Sequence, residues 1–188
     1  SEKLYDLKLP MGRLKTGTPA RIKLSSINLN LMEEQPGDKN PPPMSVLQPP
    51  QRRLPQISCY ITRTNKQTHK IISDNTHLSA MYSGKISGIG PRYCPSIEDK
   101  VNKFGEKDSH QIFIEPEGLD KDLVYPNGIS TSLPISAQKK FVESIKGMET
   151  SIIEEFGYAV EYDFIDPRSL KPTLETKFIK NLYLAGQI

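Results

Sequence analysis

The chain has 188 residues, of which 36% are hydrophobic and 25% are charged, and its formal net charge is +3 at pH 7. This composition is typical of a globular protein and excludes a fibrous, collagen-like or wholly disordered chain. No apolar run approaches the roughly 20 residues that span a bilayer, and the first residues do not resemble a signal peptide. We therefore expect a cytoplasmic protein without membrane contact.

Cysteine and histidine are scarce. The chain has two cysteines, Cys59 and Cys94, and three histidines. Two cysteines cannot form a disulfide framework, and the histidines lie at no useful metal-ligand spacing, so we expect reduced thiols and no metal. The basic residues are dispersed along the chain, which supports nucleic-acid contact only weakly.

The first predicted elements are extended. The apolar spacing of residues 4–9 is typical of a helix end, and residues 11–22 predict an extended segment with a tight turn at 16–19. Residues 33–55 contain seven of the sixteen prolines. This part predicts an irregular or polyproline-like loop.

Strands and helices alternate along the rest of the chain. A strand is predicted at residues 57–64, and Asn65 is expected to cap a helix that extends to about Asp74. A second capped helix is predicted from Ser96. The later predicted elements are strands at 111–115, 123–125, 157–164 and 182–185, a turn at 127–128 and an amphipathic helix at 134–146. This alternation without repeats predicts an α/β domain tending to α+β, with helices that flank a mixed sheet.

The final residues, 181–188, predict a buried strand that enters a glycine turn. Such a strand needs neighbouring strands, and such a turn usually leads into a helix. We therefore expect the chain to be a piece of a longer protein.

Residues 88–100 combine glycines, an arginine and a thiol with a helix start. Pro95 disfavours helix at Cys94, and Ser96 is a typical N-cap residue. Free amides at the helix start, with the guanidinium of Arg92, predict a site for phosphate or carboxylate. The same surroundings favour the thiolate form of Cys94.

Simpler interpretations exist for each of these residues. Cys94 is also compatible with a buried structural thiol, and Arg92 with an ion pair to Glu98 or Asp99. We interpret the two carboxylates as partners of the helix dipole rather than as acid–base catalysts, and Lys100 as a solvated side chain rather than a phosphate ligand.

The remaining polar residues carry weaker predictions. His69, His77 and His110 are isolated in sequence, which favours packing or surface roles. The Asp-Pro-Arg sequence at 166–168 predicts a turn, with contact of its arginine to nucleic-acid or cofactor phosphates as the alternative.

A set of motifs, in order along nearly the whole chain, resembles the GidA/MnmG family. The motifs are RLKTGTP at 13–19, CYIT at 59–62, the whole of 88–100, HQIF at 110–113, EPEG at 115–118, YPNGISTSLP at 125–134, residues 166–175 and LAGQI at 184–188. Such a collinear set is far more specific than one short motif.

The resemblance implies a flavoenzyme that acts with an MnmE-type GTPase partner. Members of this family install a carboxymethylaminomethyl or aminomethyl group at carbon 5 of the wobble uridine of certain tRNAs. The resemblance implies FAD, NADH as its reductant, methylenetetrahydrofolate as carbon donor, and a homodimer in the full-length form. The chain matches only the middle of the family's length, so we expect it to be inactive by itself.

The resemblance also implies site residues by position. The implied nicotinamide-dinucleotide segment comprises Gly90, Pro91, Arg92, Tyr93, Cys94, Pro95, Ser96, Ile97, Glu98, Asp99, Lys100, Val101, Asn102, Lys103 and Phe104. Gln187 is implied as a flavin contact and Cys94 as a catalytic residue. A thiolate at this position can add to carbon 6 of uracil or can move a proton near the flavin, and both roles stay open.

The expected domains follow from the same resemblance. Residues 1–22 are expected to be the edge of a FAD-binding domain, residues 23–165 an inserted nicotinamide- and substrate-facing domain with the proline-rich loop 33–55, and residues 166–188 a return to the FAD-binding domain. A competing hypothesis is an isolated tRNA- or partner-binding module without redox activity, which salt-sensitive tRNA affinity without nucleotide binding would favour. A third is that the piece has no function of its own.

Overall fold

The computed structural model describes residues 2–47, 54–84, 86, 88–90 and 95–186. Its helices are α1 (Glu2–Asp6), α2 (Lys66–Asn75), α3 (Ile97–Lys103) and α4 (Ile135–Glu143). Its strands are β1 (Met11–Gly17), β2 (Arg21–Lys23), β3 (Glu33–Gln35), β4 (Cys59–Arg63), β5 (Gln111–Pro116), β6 (Leu123–Asn127), β7 (Ile153–Glu155) and β8 (Ala159–Ile165).

A six-stranded sheet organises the larger part of the fold. Its order is β3-β4-β5-β6-β2-β7, and the described ladders are all antiparallel. In the central strand β5, Ile112 and Ile114 are fully buried, while their neighbours in sequence are partly exposed. This alternation places one face of the sheet against the helices α2, α3 and α4.

The core lies between that sheet face and the three helices. Phe141, Val142 and Ile145 supply the apolar face of α4 and the turn after it, and each is at most 1% exposed. The rest of the core cluster consists of Ala20, Ile22, Ile72, Ile97, Val101, Ile112, Ile114, Val124, Ile129, Leu133, Ala137 and Met148. Both Ile97 and Val101 belong to α3, so the core holds this helix in place.

A second, two-stranded sheet joins β1 to β8. The antiparallel register runs from Met11 opposite Ile165 to Gly17 opposite Ala159. On its surface Arg13 forms ion pairs with Glu161 and Asp163, at 3.2 and 2.8 Å. The strand that pairs with residues 11–17 therefore lies about 150 positions later in the chain.

The predicted fold class is confirmed. The fold is α/β, tending to α+β, with helices that flank mainly antiparallel sheets, and the bridge between Leu14 and Ile89 adds a parallel pairing. The predicted cap of α2 is confirmed, since the Asn65 side chain accepts a hydrogen bond from Thr68 N and the Thr68 side chain accepts one from Asn65 N. The domain boundaries stay a prediction.

The loop prediction for residues 33–55 is wrong at its start. Glu33–Gln35 form strand β3, because β4 presents an edge on which Glu34 pairs with Tyr60. Residues 36–47 are irregular, as predicted, while residues 48–53 lie outside the described part.

The predicted buried strand at residues 182–185 is also wrong. Tyr183 forms a single bridge to Glu175, and both Tyr183 and Ala185 are exposed. The backbone of this segment hydrogen-bonds only to Leu174 and Thr176 among the described residues, and a lone bridge does not cover both faces of a strand. No helix in the described ranges is long and apolar enough to cross a membrane.

Candidate functional site

The start of α3 is closed by its own side chains. Ser96 Oγ accepts a hydrogen bond from Asp99 N at 3.1 Å, and Asp99 Oδ2 accepts one from Ser96 N at 3.2 Å. Ile97 N donates to Ser130 O at 2.8 Å. The free amides that the sequence predicts as an anion site are thus already occupied at Ser96, Ile97 and Asp99, because the capping box and the 130–132 segment use them.

Glu98, in the first turn of α3, is fully buried. Its Oε1 accepts hydrogen bonds from Ser79 Oγ at 3.0 Å and from Ser132 N at 3.1 Å, whereas its Oε2 has no partner among the described residues. This burial was not predicted from the sequence, because the two serines lie 53 positions apart in the chain.

The two serines continue this network. Their Oγ atoms lie 2.7 Å apart, and Met81 N donates to Ser132 Oγ at 3.1 Å. Because Ser79 Oγ donates its proton to Glu98 Oε1, Ser132 Oγ is the donor in its hydrogen bond with Ser79 Oγ. This chain of hydrogen bonds ends at the buried carboxylate. We call Ser79, Ser132, Glu98 and the Ser96–Asp99 capping box the clamp.

Asp99 completes the clamp towards the surface. Its Oδ1 accepts a hydrogen bond from Tyr82 Oη at 2.7 Å, and Lys103 Nζ lies 3.7 Å away. Burial acts to raise the pKa of Asp99, but the hydrogen bonds from Tyr82 and Ser96 and the charge of Lys103 outweigh it, so this pKa lies below the usual value. Burial and then the bond to Asp99 raise the pKa of Tyr82 to about 12. The pair is therefore a neutral phenol and a carboxylate at neutral pH.

The residues just before the predicted cofactor segment lie against β1. Ile89 O accepts a hydrogen bond from Lys15 N at 3.0 Å, and Ile89 N donates to Arg13 O at 3.3 Å. A Cβ on Gly88 would lie 2.9 Å from the carbonyl carbon of Leu14, so this close approach requires glycine. Gly90 is exposed and has nothing within 4 Å of such an atom.

A groove opens beside the other end of α3. It has a volume of about 430 Å³, and its nine lining residues are Pro95, Lys100, Phe104, Lys107, His110, Gln111, Phe113, Asn127 and Gly128. None of these nine is acidic. Pro95, Lys100 and Phe104 belong to the predicted dinucleotide segment, whereas the other six come from 107–113 and 127–128.

Two lysines set the charge of the groove. Lys100 Nζ donates to Gly128 O at 2.7 Å, which holds its charge at the wall. Lys107 Nζ lies 5.1 Å from the centre of the Phe104 ring, within the range of a cation–π contact. The prediction of Lys100 as a merely solvated side chain is wrong, because it joins α3 to the turn after β6.

His110 forms the buried wall of the groove. It is 9% exposed, its Nε2 has no hydrogen-bond partner among the described residues, and its ring centre lies 5.1 Å from that of His69. His110 N donates to Thr64 Oγ1 at 2.7 Å, and that oxygen lies 2.7 Å from His69 Nε2. The two histidines that the sequence analysis treated as isolated are therefore neighbours.

Burial is the main cause that lowers the pKa of His110. The charges of His69, Lys100 and Lys107 lower it further, and that of Glu106 acts in the opposite direction. Burial also lowers the pKa of His69. Sequence reasoning missed the pair because β4 and β5 bring positions 64 and 110 together across the sheet. The HQIF motif at 110–113 was the one signal in the sequence that pointed to His110.

The predicted site residues are thus divided among three surroundings. Ser96, Ile97, Glu98 and Val101 are buried in the clamp and the core, Pro95, Lys100 and Phe104 line the groove, and Asn102 and Lys103 are exposed. The predicted residues Pro91, Arg92, Tyr93, Cys94 and Gln187 lie outside the described residues. No group of three potential metal ligands is found in the described part of the chain.

The other cysteine, Cys59, lies within the described residues, and its thiol differs in acidity from the one expected at Cys94. Cys59 is a free thiol, half-buried in β4. Burial, with the charge of Glu115 as the second cause, raises the pKa of this thiol. A raised pKa keeps Cys59 protonated and therefore a poor nucleophile.

The turn at residues 166–168 is confirmed. Asp166 Oδ1 accepts a hydrogen bond from Arg168 N at 2.9 Å, and the Arg168 guanidinium also pairs with this carboxylate. The bond to the Arg168 guanidinium is the main cause that lowers the pKa of Asp166 to about 2.

Comparison with known proteins supplies an independent result. The family model described as "GIDA: Glucose inhibited division protein A" matches residues 1–188. Aquifex aeolicus GidA in its form I crystal is 46% identical, with a TM-score of 0.83, over 97% of this chain and 31% of that one. In its form II crystal the values are 42%, 0.84, 98% and 29%. The chain spans less than a third of the length of these solved relatives.

Proposed function

Because the chain belongs to the GidA family, we propose that it is the middle part of a FAD- and NADH-dependent enzyme that modifies the wobble uridine of tRNA. The match of the family model to all of residues 1–188 is the observation that carries this proposal. The product carries a carboxymethylaminomethyl or aminomethyl group at carbon 5, with methylenetetrahydrofolate as carbon donor. An MnmE-type GTPase and a second copy of the full-length protein are the proposed partners.

The described residues fit a phosphate-bearing cofactor at one place. The groove beside α3 combines two lysines, two phenylalanines and a buried histidine, and three of its residues lie in the 90–104 segment. This supports the assignment of that segment to the nicotinamide dinucleotide. FAD, when bound, supplies the redox step of the reaction. The proposed flavin contact of Gln187 depends on the family resemblance alone.

Cys94 is the proposed catalytic thiol. Its thiolate forms a bond to carbon 6 of the uracil ring, which places an electron pair on carbon 5 for attack on the one-carbon unit of the donor, whose bond to a folate nitrogen breaks. Loss of the carbon 5 proton to a base, together with elimination of the thiolate, then restores the ring. Transfer of a proton near the flavin is the other proposed role. The clamp anchors helix α3, which starts three residues after Cys94, so this chain's own contribution is to position that segment.

The two cysteines provide the experiment. In the full-length protein, Cys94→Ser is expected to abolish the modified uridine in tRNA, measured by mass spectrometry of digested nucleosides, whereas Cys59→Ser leaves it nearly unchanged. Equal amounts of modified uridine in both variants would contradict the role of Cys94. If the full-length protein binds tRNA in a salt-sensitive manner but neither FAD nor NADH, the binding-module hypothesis replaces the enzyme.

A further inference from the structure

The charge of the groove distinguishes it from the other described cavities. Two further cavities, of about 460 and 360 Å³, each have at least two carboxylates in their walls: Glu143 and Glu149 in one, and Asp122, Glu154 and Glu155 in the other. The described lining residues of the groove include Lys100 and Lys107 and no carboxylate. Its described walls, unlike those of these two cavities, therefore attract an anion.

The walls also have an apolar, aromatic part. Phe104 and Phe113 line the groove, and Phe104 is 42% exposed. Phenylalanine rings offer faces on which a flat ring can stack, and lysines beside them attract phosphate. A volume of about 430 Å³ lies in the range of sites for small ligands rather than in that of macromolecular interfaces.

His110 provides the independent observation. This side chain is nine-tenths buried, lines the groove, and has an Nε2 without a hydrogen-bond partner. The nitrogen is shielded from solvent, so it senses charge placed in the groove without needing direct contact. A buried polar atom of this kind costs free energy and is uncommon in a purely structural position.

We propose that this groove binds the phosphate end of a small nucleotide, with the phosphate between the charges of Lys100 and Lys107 and the ring against Phe104 and Phe113. The inference deepens the proposed function, on which it rests for the physiological source of the nucleotide, NADH. The phosphate position that we propose is the carboxy-terminal half of α3 and not its amino end, where the clamp uses the amides.

The histidine makes the proposal measurable. Burial and then the charges of His69, Lys100 and Lys107 lower the pKa of His110, and Glu106 opposes them. A bound phosphate adds negative charge at the same wall and must therefore raise this pKa. The chain has three histidines, so their proton resonances can be assigned with single His→Gln variants.

The first experiment is an NMR pH titration of the histidines with and without AMP, which is anionic throughout the titration. We expect AMP to raise the pKa of His110 by about one unit and to leave that of His77 unchanged, whereas adenosine has no effect. No change at His110, equal changes at His77, or an equal effect of adenosine would each overturn the proposal. A response to a single-stranded oligonucleotide but not to AMP would assign the groove to a nucleic-acid strand and overturn it as well.

The second experiment uses two matched lysines. Lys107 lies over Phe104 and Lys139 lies over Phe156, at 5.1 and 5.7 Å, and both are exposed, but only Lys107 lines the groove. We expect Lys107→Glu to weaken AMP binding about tenfold and Lys139→Glu to leave it within about twofold. Equal weakening in both variants would mean general charge attraction and would contradict the proposal.

These measurements need neither FAD, tRNA nor Cys94. If AMP has no effect on His110 but Cys94→Ser loses the modified uridine, nucleotide binding in the groove is rejected and the proposed enzyme function is retained. If AMP binds but Cys94→Ser is fully active, nucleotide binding is retained and the catalytic role of Cys94 is rejected.

Discussion

The two ends of α3 differ in how far their backbone amides and side chains are engaged within the fold. At the amino end, the amides of Ser96, Ile97 and Asp99 are hydrogen-bonded, and Glu98 Oε1 accepts two hydrogen bonds, while Glu98 Oε2 has no partner among the described residues. Near the carboxy-terminal end, Lys100 and Phe104 line a groove that also contains the buried His110, whose Nε2 has no hydrogen-bond partner among the described residues. One short helix therefore has a structural end and an open end.

This difference teaches that a helix start is not an anion site merely because it is a helix start. Helix amides bind phosphate only when no side chain has taken them, and a capping box takes two donors at once. None of the described residues that line the groove is acidic, so the open end is the better place for an anionic ligand. The predictions below test each half of this comparison.

The largest expected effect comes from removal of the buried carboxylate. Glu98→Ala leaves Ser132 N and Ser79 Oγ without their acceptor in a fully buried place. We expect a loss of about 3 kcal/mol in the free energy of unfolding, measured by urea denaturation. Glu98→Gln keeps an oxygen acceptor and is expected to lose less.

The matched control for this variant is Glu106→Ala, because Glu106 is exposed and lies just beyond α3. It is expected to change the free energy of unfolding by less than about 0.5 kcal/mol. If Glu98→Ala and Glu106→Ala unfolded at the same urea concentration, Glu98 would not stabilise the amino end of α3.

A pair of glycines tests the segment that leads to the clamp. Gly88→Ala places a Cβ against the Leu14 backbone and is expected to cost about 2 kcal/mol, whereas Gly90→Ala has open space. Hydrogen exchange measures the result directly, because Lys15 N and Ile89 N are protected only while this segment lies on β1. Unchanged protection of both amides in Gly88→Ala would show that this close approach does not hold the segment.

The capping box itself has a smaller effect. Ser96→Ala removes the acceptor for Asp99 N and is expected to destabilise the protein by about 1 kcal/mol in urea denaturation. The exposed Ser136 in α4 provides the control, since Ser136→Ala removes no cap. Equal stability of the two variants would mean that the cap adds nothing once α3 is packed.

The smallest effect is a pH dependence at the open end. The pKa of His110 is lowered in the folded protein, mainly by burial and further by His69, Lys100 and Lys107, with Glu106 opposing. As the pH falls below the unfolded value of about 6.5, the unfolded chain takes up the proton first, so stability decreases until the folded pKa is passed. Above the unfolded pKa, the stabilising contribution of the neutral His110 is fully present.

Urea denaturation at several pH values measures this dependence. We expect the decrease in stability between pH 7 and 5 to be smaller in His110→Gln than in the unchanged protein, while His77→Gln retains the full decrease. An equal decrease in both variants would show that His110 is not desolvated and would weaken the contrast between the two ends.

Local signals were sufficient for part of the fold. Asn65 with Thr68, and Ser96 with Asp99, are capping patterns within four residues, and both helices begin where these patterns predict. The alternation of residues 111–115 likewise predicts β5, since the buried face of a strand repeats every second residue. Such elements are predictable because their hydrogen bonds and periodicity are local.

Edges and chain ends were not predictable in this way. Strand β3 has a polar sequence without a local strand signal and exists because β4 offers it an edge. The apolar residues 182–185 have a strand-like sequence but pair, among the described residues, only through the bridge between Tyr183 and Glu175. In both cases the partner strand decides the outcome, and its position is a property of the whole fold.

The sequence by itself therefore determined the family, the fold class and the positions of the capped helices, because collinear motifs and local hydrogen-bonding patterns are written in consecutive residues. Only the tertiary structure decided that Glu98 is buried between Ser79 and Ser132, and that Lys107 and His110 share a groove with Lys100. Burial and charge at a site depend on side chains that the sheet and helices bring together from distant positions. For α3, packing rather than sequence decided which end is closed and which is open.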